Sequence, residues 1–376
     1  MSFVSIGGHR LEYERIDSGN AAAPTVVMLH EGLGSVSLWK DFPQQLARAS
    51  GCNVVAYSRH GYGRSTPLEQ PRTPQYMHDE ALSVLPRFLD ALDIRAPILF
   101  GHSDGASIAL IHAGGSGRAV AGVVALAPHV FVEELSVRSI AAAKVAYETT
   151  DLREKLARYH DDAEGAFRGW NDIWLSAAFR DWNIEQYLPG IRCPVLVIQG
   201  ADDEYGTMEQ IRRIERDAPR VESLCLPDCR HSPHRDQPQY VLAAVVDFLT
   251  RVSNPDLTVL QRLPRDADGP VFAAPWQACV FALAVHLSQQ QHFTWAQWTE
   301  TLGQELRAST ARGEPDDGSR YYHCWLAALE RLVIERHLSD ATALHALQEA
   351  WAEAFRRTPH GQPVMLSEAV HSNREP

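Results

Sequence analysis

Short apolar runs recur through the first two thirds of the chain, and they constrain the fold more than any other feature. The runs lie at residues 25–30, 53–57, 97–100, 120–126 and 194–199. Nearly every side chain in them is apolar, which is typical of parallel strands that are buried on both faces. Stretches with helical patterns, such as residues 74–92, separate the runs. This alternation predicts an α/β fold with a doubly wound, mostly parallel sheet.

Residues 129–190 break the alternation, because they contain no clear strand pattern. The stretch is rich in aromatic side chains, namely Phe131, Tyr147, Tyr159, Phe167, Trp170, Trp174, Phe179, Trp182 and Tyr187. We interpret it as a helical insertion over the edge of the sheet. Strand and helix patterns then resume, with a last strand at 221–226 and a last helix at 240–249. Residues 1–251 are therefore predicted to form one domain.

The remainder of the chain has a different pattern. A polar segment at 252–269 is predicted to be a linker. Beyond it only helical patterns occur, at residues 276–290, 321–336 and 339–356. Thr294 and Gln297 fit a capping box, in which each side chain binds a free N–H group at a helix start. These patterns predict a small all-α domain over 270–366, followed by a tail at 367–376.

Charge and composition exclude several classes of function. The formal net charge is −12, so no basic surface is expected for nucleic acid or anionic lipid. The first ten residues lack the basic and apolar regions of a signal peptide, and no apolar stretch approaches the length of a transmembrane helix. The six cysteines are widely spaced, which favours a reducing, cytoplasmic location.

The most informative motif is Gly-His-Ser-Asp-Gly at residues 101–105. It follows a predicted strand and precedes the helical stretch 106–112. That context is required for a nucleophile elbow, a sharp turn that exposes a serine hydroxyl. Side chains at positions 101 and 105 would crowd the turn, and glycine at both positions relieves the crowding. The motif therefore predicts that Ser103 is a nucleophile.

A serine hydroxyl is a weak nucleophile and needs a histidine base that a carboxylate orients. In this arrangement the acid follows the serine along the chain and the histidine comes last. Asp203 is the predicted acid because it follows the strand at 194–199, and its neighbour Asp202 is the alternative. His231 is the predicted base in the loop after the last strand, with His234 as the alternative.

The same loop also allows a metal-binding interpretation. Cys225, Cys229, His231 and His234 have spacings that could suit zinc. However, Cys225 lies in a predicted strand whose direction opposes the loop of Cys229, and no second pair of ligands stands nearby. We therefore expect no metal and no other cofactor in this chain.

Several further motifs agree with the elbow. His-Glu-Gly-Leu-Gly-Ser occupies residues 30–35, and Gly-Tyr-Gly-Arg-Ser occupies residues 61–65. With the serine, aspartate and histidine, they make residues 1 to about 250 resemble the α/β-hydrolase family, in its capped branch near esterases, proline iminopeptidases and carbon–carbon bond hydrolases. Arg230 stands where that family usually has glycine before the histidine.

The resemblance implies an oxyanion hole made of the backbone N–H groups of Gly32, Leu33 and Asp104. It also implies that the insertion is a lid over a substrate pocket, with the candidate lining residues Glu31, His102, Trp170, Trp174 and Trp182. Each tryptophan could instead pack only within the insertion. The carboxylates of Glu31 and Asp104 would oppose a negative oxygen unless they face away, so the charge of the substrate stays open.

Dispersed motifs in the second half carry another resemblance. They lie at residues 270–277, 293–298, 321–330 and 358–363, and they resemble nitrile hydratase accessory proteins and the N-terminal part of that enzyme's β subunit. The resemblance spans about residues 262 to 366. It implies a domain that docks on a nitrile hydratase α subunit and assists the loading of its metal. A helical dimerisation or stability module is the alternative.

The leading hypothesis is a serine hydrolase that cleaves an ester, amide or related acyl bond of a small molecule, joined to a partner-binding domain. Two alternatives stay open. The whole chain could be a maturation factor whose hydrolase fold serves only for binding, or the enzyme could cleave a carbon–carbon bond in a dienol ketone. The triad does not distinguish the substrates, since specificity depends on side chains of the lid.

Overall fold

The computed structural model describes residues 2–20, 23–253, 265–266, 269–270, 275–289, 292–315 and 320–357. The chain divides into two compact units, Met1–Ser253 and Asn254–Pro376. The first unit contains the sheet and the second unit is mainly helical. The predicted tail at 367–376 and most of the predicted linker lie outside the described residues.

An eight-stranded sheet forms the centre of the first unit. Its strands are β1 (Ser2–Ile6), β2 (His9–Ile16), β3 (Thr25–Leu29), β4 (Asn53–Tyr57), β5 (Ile98–His102), β6 (Gly122–Leu126), β7 (Val195–Gly200) and β8 (Val221–Leu226). Their order across the sheet is β1-β2-β4-β3-β5-β6-β7-β8. Strands β3 to β8 are parallel, whereas β1 and β2 are antiparallel. The prediction of a mostly parallel sheet is confirmed.

The apolar composition of the central strands explains why they lie in the middle of the sheet. Every residue of β4, β5, β6 and β7 is buried, so each strand needs an apolar side chain on both faces of the sheet. The sequence did not predict β1 and β2. Strand β2 contains charged as well as apolar residues, and both strands are partly exposed. Polar side chains are common on strands near the edge of a sheet.

Ten α-helices flank the strands of the first unit in its described part. They are α1 (Phe42–Ser50), α2 (Tyr76–Asp79), α3 (Leu85–Ala91), α4 (Asp104–Gly115), α5 (Glu134–Thr149), α6 (Leu152–Leu156), α7 (Ala163–Leu175), α8 (Met208–Asp217), α9 (Pro233–Asp236) and α10 (Pro238–Ser253). A π-helical turn at Glu80–Val84 interrupts the helix predicted at 74–92. It buries Glu80, which accepts a hydrogen bond from the Tyr57 hydroxyl at 2.6 Å.

The insertion between β6 and β7 is helical, as its sequence predicts. It contains α5, α6 and α7, followed by short 3₁₀ segments at Ala177–Phe179 and Glu185–Gly190. Its two ends meet, because the backbone N–H of Ile184 donates to the carbonyl oxygen of Val130 at 2.8 Å. The insertion is therefore closed at its base and adjoins the carboxyl end of β6.

In its described part, the second unit contains a short hairpin of two-residue strands, β9 (Arg265–Asp266) and β10 (Gly269–Pro270), and four helices. The helices are α11 (Pro275–Gln289), α12 (Trp295–Ala311), α13 (Tyr321–Glu335) and α14 (Ala341–Arg357). The predicted capping box begins α12, where Thr294 and Gln297 bind each other's backbone N–H groups. Trp298 and Trp325 are fully buried in its core. Nowhere in the described parts of the chain is a helix both long and apolar enough to span a bilayer.

Candidate active site

Ser103 occupies the turn between β5 and α4. Its φ is 53° and its ψ is −118°, a strained conformation for a residue with a side chain. A Cβ atom at Gly101 would lie 2.3 Å from the carbonyl oxygen of Gly105, and one at Gly105 would lie 2.0 Å from that of Leu29. The turn therefore requires glycine at both positions, as the motif predicts.

The carboxylate of Asp203 lies in the loop after β7 and is held by three donors. The backbone N–H groups of Tyr205 and Gly206 donate to it at 2.8 and 3.3 Å, and Gln199 Nε2 donates at 2.9 Å. Burial would raise the pKa of Asp203, but the charge of His231, its hydrogen bond to the carboxylate and the N–H of Tyr205 hold it below its usual range. Asp202, the alternative acid, is exposed.

His231 connects the acid to the serine. Its Nδ1–H donates to both oxygens of Asp203, at 2.8 and 3.0 Å, and its Nε2 lies 3.0 Å from Ser103 Oγ. A carboxylate only accepts hydrogen bonds, so Nδ1 carries the proton of a neutral ring and Nε2 is free to accept the serine proton. Burial lowers the pKa of His231, but Asp203 outweighs burial and the net effect is a rise.

The loops that carry acid and base cross closely at the end of β7. A Cβ atom at Gly200 would lie 2.2 Å from the carbonyl oxygen of Cys229 and 2.3 Å from that of Arg230. The backbone N–H of Asp202 donates to the same Cys229 oxygen at 2.9 Å. Glycine at position 200 thus lets the histidine loop pass directly over the strand that presents the acid.

The alternative base, His234, lies in an aromatic cluster. Its ring centroid is 5.0 Å from that of Trp39, 5.6 Å from that of Phe42 and 4.9 Å from that of His102. Burial lowers the pKa of His234 well below its usual value, so the ring is neutral. The structure therefore brings His231, and not His234, to the serine.

The candidate zinc ligands lie in different surroundings. Cys225 is exposed on β8, Cys229 is buried, and His231 is bound to Asp203. Across the described ranges, no group of three or more histidine, cysteine or carboxylate side chains is placed to hold a metal ion. The spacing of Cys225, Cys229, His231 and His234 in the sequence therefore does not produce a set of metal ligands among the described residues.

The turn after β3, which contains the predicted oxyanion donors Gly32 and Leu33, is fixed through its carbonyl groups. His30 Nδ1–H donates to the Glu31 carbonyl oxygen at 2.7 Å. His160, from the insertion, donates from Nε2 to the Leu33 carbonyl oxygen at 3.0 Å. The Nδ1 of the same ring accepts the backbone N–H of Gly63 at 2.9 Å. Burial lowers the pKa of His160, which favours the neutral ring that these contacts need.

The backbone N–H and the carboxylate of Asp104, the residue after Ser103, have different surroundings. Its N–H is the first of α4, and the first N–H groups of a helix have no carbonyl partner within it. Its buried carboxylate accepts from the Tyr76 hydroxyl at 2.7 Å and lies 3.8 Å from Arg59 Nη1. Arg59 is 1% exposed, so a buried cation offsets the negative charge of this carboxylate.

A cavity of about 190 Å³ opens beside the serine. Its lining includes His231, the predicted oxyanion residues and the candidates Glu31, His102, Trp170 and Trp174. Trp170 packs so closely on Gly32 that a Cβ atom there would lie 2.2 Å from the indole Nε1. Trp182 lies elsewhere, stacked on Phe179 at 5.2 Å, and is not among the described residues that line this cavity.

Among the lining residues that were not singled out from the sequence, two present rings near the serine. His129 follows β6 and packs its ring 5.2 Å from Trp174, and Tyr205 packs 4.6 Å from His231. Burial lowers the pKa of His129 to about 3, so this imidazole is neutral and polar. Both follow the carboxyl ends of parallel strands, where ligands bind in open α/β sheets, and that position was the available signal.

Comparison with known proteins finds one family model that matches most of the first unit and another that matches residues beyond it. Residues 26–245 match the model of the "Alpha/beta hydrolase family". Residues 260–371 match the model "Nitrile hydratase beta subunit, N-terminal". The second match spans segments inside and outside the described residues and agrees with the motifs identified in the sequence.

Curated relatives align with about two thirds of the chain. The "Putative carbamate hydrolase RutD" of Caulobacter sp. (strain K31) is 29% identical over 261 residues, which are 63% of this chain and 95% of the relative. The "sn-1-specific diacylglycerol lipase ABHD11" of Danio rerio is 23% identical over 268 residues, which are 64% of this chain and 82% of the relative.

Solved structures share the fold at lower identity. The enol-lactonase from Burkholderia xenovorans LB400 has a TM-score of 0.54 and 22% identity, and covers 66% of this chain and all of its own. A thermophilic esterase from Thermogutta terrifontis has a TM-score of 0.53 and 20% identity, with 67% and 99% covered. These likenesses concern the fold alone.

Proposed function

Because the chain belongs to the alpha/beta hydrolase family, we propose that its first unit is a serine hydrolase. It cleaves an ester, amide or related acyl bond through an acyl-enzyme. The observation that carries this proposal is the continuous set of contacts from Ser103 Oγ through His231 to Asp203, at 3.0 and 2.8 Å. This order of residues and these distances support acyl transfer, which requires a nucleophile, a base and an orienting acid.

In the proposed reaction the Ser103 oxygen attacks the acyl carbon, and His231 Nε2 takes the hydroxyl proton. The carbonyl oxygen becomes an oxyanion that accepts hydrogen bonds from the N–H groups of Gly32, Leu33 and Asp104. One such donor lowers the barrier by about 3 kcal/mol. His231 then gives its proton to the leaving group. Water attacks the acyl-enzyme with the same histidine as base, and the acid is released.

The size of the cavity favours a small acyl group. A cavity of about 150 Å³ lined by apolar side chains holds one benzene molecule. The cavity beside Ser103, at about 190 Å³, is of similar size, and Trp170, Trp174 and Ile140 of the insertion contribute to its walls. The insertion thus acts as a lid whose side chains limit the length of the substrate.

Hydrolysis of p-nitrophenyl esters tests this function. We expect acetate and butyrate to be cleaved with a higher kcat/KM than decanoate, and Trp170→Ala to narrow that difference. Ser103→Ala is the matched inactive control. Absence of hydrolysis of these esters and of the corresponding anilides by the folded protein would contradict acyl transfer, and cleavage of a dienol ketone instead would support carbon–carbon bond hydrolysis.

For the second unit, we propose a role in binding a nitrile hydratase α subunit and assisting the loading of its metal. The supporting observation is the match of residues 260–371 to the N-terminal region of a nitrile hydratase β subunit. This role needs no chemistry from Ser103. In co-expression with nitrile hydratase subunits, Ser103→Ala should still promote metal loading, whereas removal of residues 254–376 should abolish it. Full loading by the truncated protein would contradict the proposal.

A cytoplasmic location is proposed from the cysteines. Those whose side chains the structure describes are unpaired, namely Cys52, Cys193, Cys225, Cys229 and Cys324. Free thiols persist in reducing compartments. Subcellular fractionation of the native host checks the location, and recovery of the protein outside the cytoplasm would contradict it.

A further inference from the structure

Two ionisable residues stand directly before catalytic positions, and the proposed chemistry uses neither. Glu31 precedes Gly32 in the turn after β3, and His102 precedes Ser103 at the end of β5. Glu31 is an acid placed beside the predicted oxyanion donors, where its charge would be unfavourable without compensation. The contacts of these two side chains explain why they are tolerated there.

The contacts join three segments of the site. His102 Nε2–H donates to the backbone carbonyl oxygen of His231 at 2.7 Å. The Nδ1 of the same ring lies 3.5 Å from Glu31 Oε2. Arg235, four residues after the base, donates to Glu31 Oε1 at 3.1 Å and to the Leu38 carbonyl oxygen at 3.2 Å. The oxyanion turn, the nucleophile elbow and the histidine loop thereby meet through one cluster, formed by Glu31, His102 and Arg235.

Charge and burial favour a paired state of this cluster. The His102 side chain is 1% exposed and that of Glu31 is 17% exposed. Both ring nitrogens of His102 face oxygen atoms, the Nε2 at hydrogen-bond distance from the His231 carbonyl and the Nδ1 3.5 Å from the Glu31 carboxylate. Burial would raise the pKa of Glu31, but the charges of His102 and Arg235 hold it well below its usual range. The carboxylate therefore carries a charge that its neighbours compensate.

We propose that Glu31 and His102 are positioning residues that hold the backbone of His231 over the nucleophile elbow and fix its ring against Ser103. This inference rests on the proposed hydrolase function. His102 binds the backbone carbonyl oxygen of His231. The imidazole of His231 therefore stays within reach of the serine hydroxyl while it accepts the serine proton. A misplacement of about 1 Å in such a site can cost on the order of 100-fold in rate.

The cluster also acts on the charge of the base. The carboxylates of Asp203, Glu204 and Glu31 and the ring of His234 act on the charge of the His231 ring, and the rings of His102, His129 and Tyr205 pack against it. Burial lowers the pKa of His231, and the three carboxylates raise it. Removing the charge of Glu31 while keeping its shape should therefore lower the pKa of His231.

Two variants at one position separate these effects. Glu31→Ala removes the contacts, and we expect kcat to fall about 10-fold or more with KM nearly unchanged. Glu31→Gln keeps hydrogen-bonding atoms, so it should recover most of kcat while lowering the pKa of His231 in an NMR titration of its ring. Glu222→Ala is the control, because Glu222 pairs with Arg251 at 2.6 Å on an exposed surface of the same unit. It should leave both quantities unchanged.

The proposal is overturned if folded Glu31→Ala retains the wild-type kcat, or if Glu31→Gln leaves the pKa of His231 unchanged. If Glu31→Ala does not fold, Arg235→Gln replaces it, because that side chain is 41% exposed. It should lower kcat in the same direction by a smaller factor, and wild-type activity would count against the cluster. The NMR titration needs no turnover, so it tests the effect of Glu31 on His231 even if the wild-type protein hydrolyses no substrate and the proposed function fails.

Discussion

The two units differ in what they bury. The first unit encloses ionisable side chains near the carboxyl ends of its strands, among them Arg59, Asp104, His129 and Asp203. In the described part of the second unit no carboxylate, histidine or basic side chain is buried, and its buried polar side chains are Gln277, Thr301 and Ser309. Burying a charge costs several kcal/mol unless it is paired. The first unit therefore encloses the ionisable groups that the proposed chemistry needs, whereas no carboxylate or histidine is buried in the part of the second unit that the structure describes.

The largest expected effect is the loss of kcat when Asp203, the proposed catalytic acid of the first unit, is replaced. Asp203→Asn should lower kcat by on the order of 10⁴-fold, because an amide no longer fixes the tautomer of His231. The exposed Asp202→Asn is the control and should retain nearly full activity. Steady-state kinetics with p-nitrophenyl acetate measure both. Equal losses in the two variants would remove the distinction between a buried catalytic acid and a surface carboxylate.

Glycine substitutions should have opposite effects on stability in the two units. Gly105→Ala places a Cβ atom 2.0 Å from the Leu29 carbonyl oxygen, so unfolding of the first unit should become easier by about 3 kcal/mol or more. Gly303→Ala lies within α12, where the nearest atom is the flexible Arg307 Nη1 at 3.4 Å. It should stabilise the second unit by about 0.5–1 kcal/mol. Denaturant unfolding checks both signs, and a stabilising Gly105→Ala would contradict the strained elbow.

A smaller effect is expected from the insertion. His160→Phe keeps a ring but loses both hydrogen bonds, to the Leu33 carbonyl oxygen and from the Gly63 N–H. Removing an oxyanion donor costs about 100-fold or more, and displacing one should cost less, so kcat should fall about 10-fold. Phosphonate inhibition constants should weaken in parallel, since they report on the oxyanion site. An unchanged kcat would show that the insertion does not influence the turn.

The smallest effect concerns pH. His231 must be neutral to accept a proton, and Asp203 raises its pKa above the usual 6.5 despite burial. The profile of kcat/KM should therefore fall as the pH drops through a midpoint above 6.5. In Asp203→Asn burial dominates, and the residual activity should titrate at lower pH. The comparison of the two profiles measures this shift, and a wild-type midpoint below that of the variant would contradict the assigned pair.

Much of the first unit could be predicted from composition and order. The central strands are apolar at every position, and the elbow combines two crowded glycines with a strand before and a helix after it. These signals are local, so one sequence is enough to find them. The contact of His231 with Asp203 followed from the order of strands, because both loops leave carboxyl ends at the same edge of the sheet.

The contacts of the insertion could not be predicted in this way. His160 binds Gly63, which lies 97 residues earlier, and no local pattern indicates that pairing. Trp170 and Trp182 belong to the same aromatic stretch, yet only the first lines the cavity beside Ser103, since the direction of each side chain depends on how the helices pack. The surroundings of Glu31 and Asp104 could not be predicted either, because the arginines near these carboxylates, Arg235 and Arg59, are distant from them in sequence.

The central claim is that Ser103 is an activated nucleophile, and covalent labelling tests it most directly. A fluorophosphonate reacts only with a serine whose proton a nearby base accepts, so peptide mapping by mass spectrometry should place a single adduct on Ser103. Ser103→Ala should remain unlabelled with an unchanged fold. A well-folded wild-type protein that acquires no adduct, or one that carries it on another residue, would contradict the account.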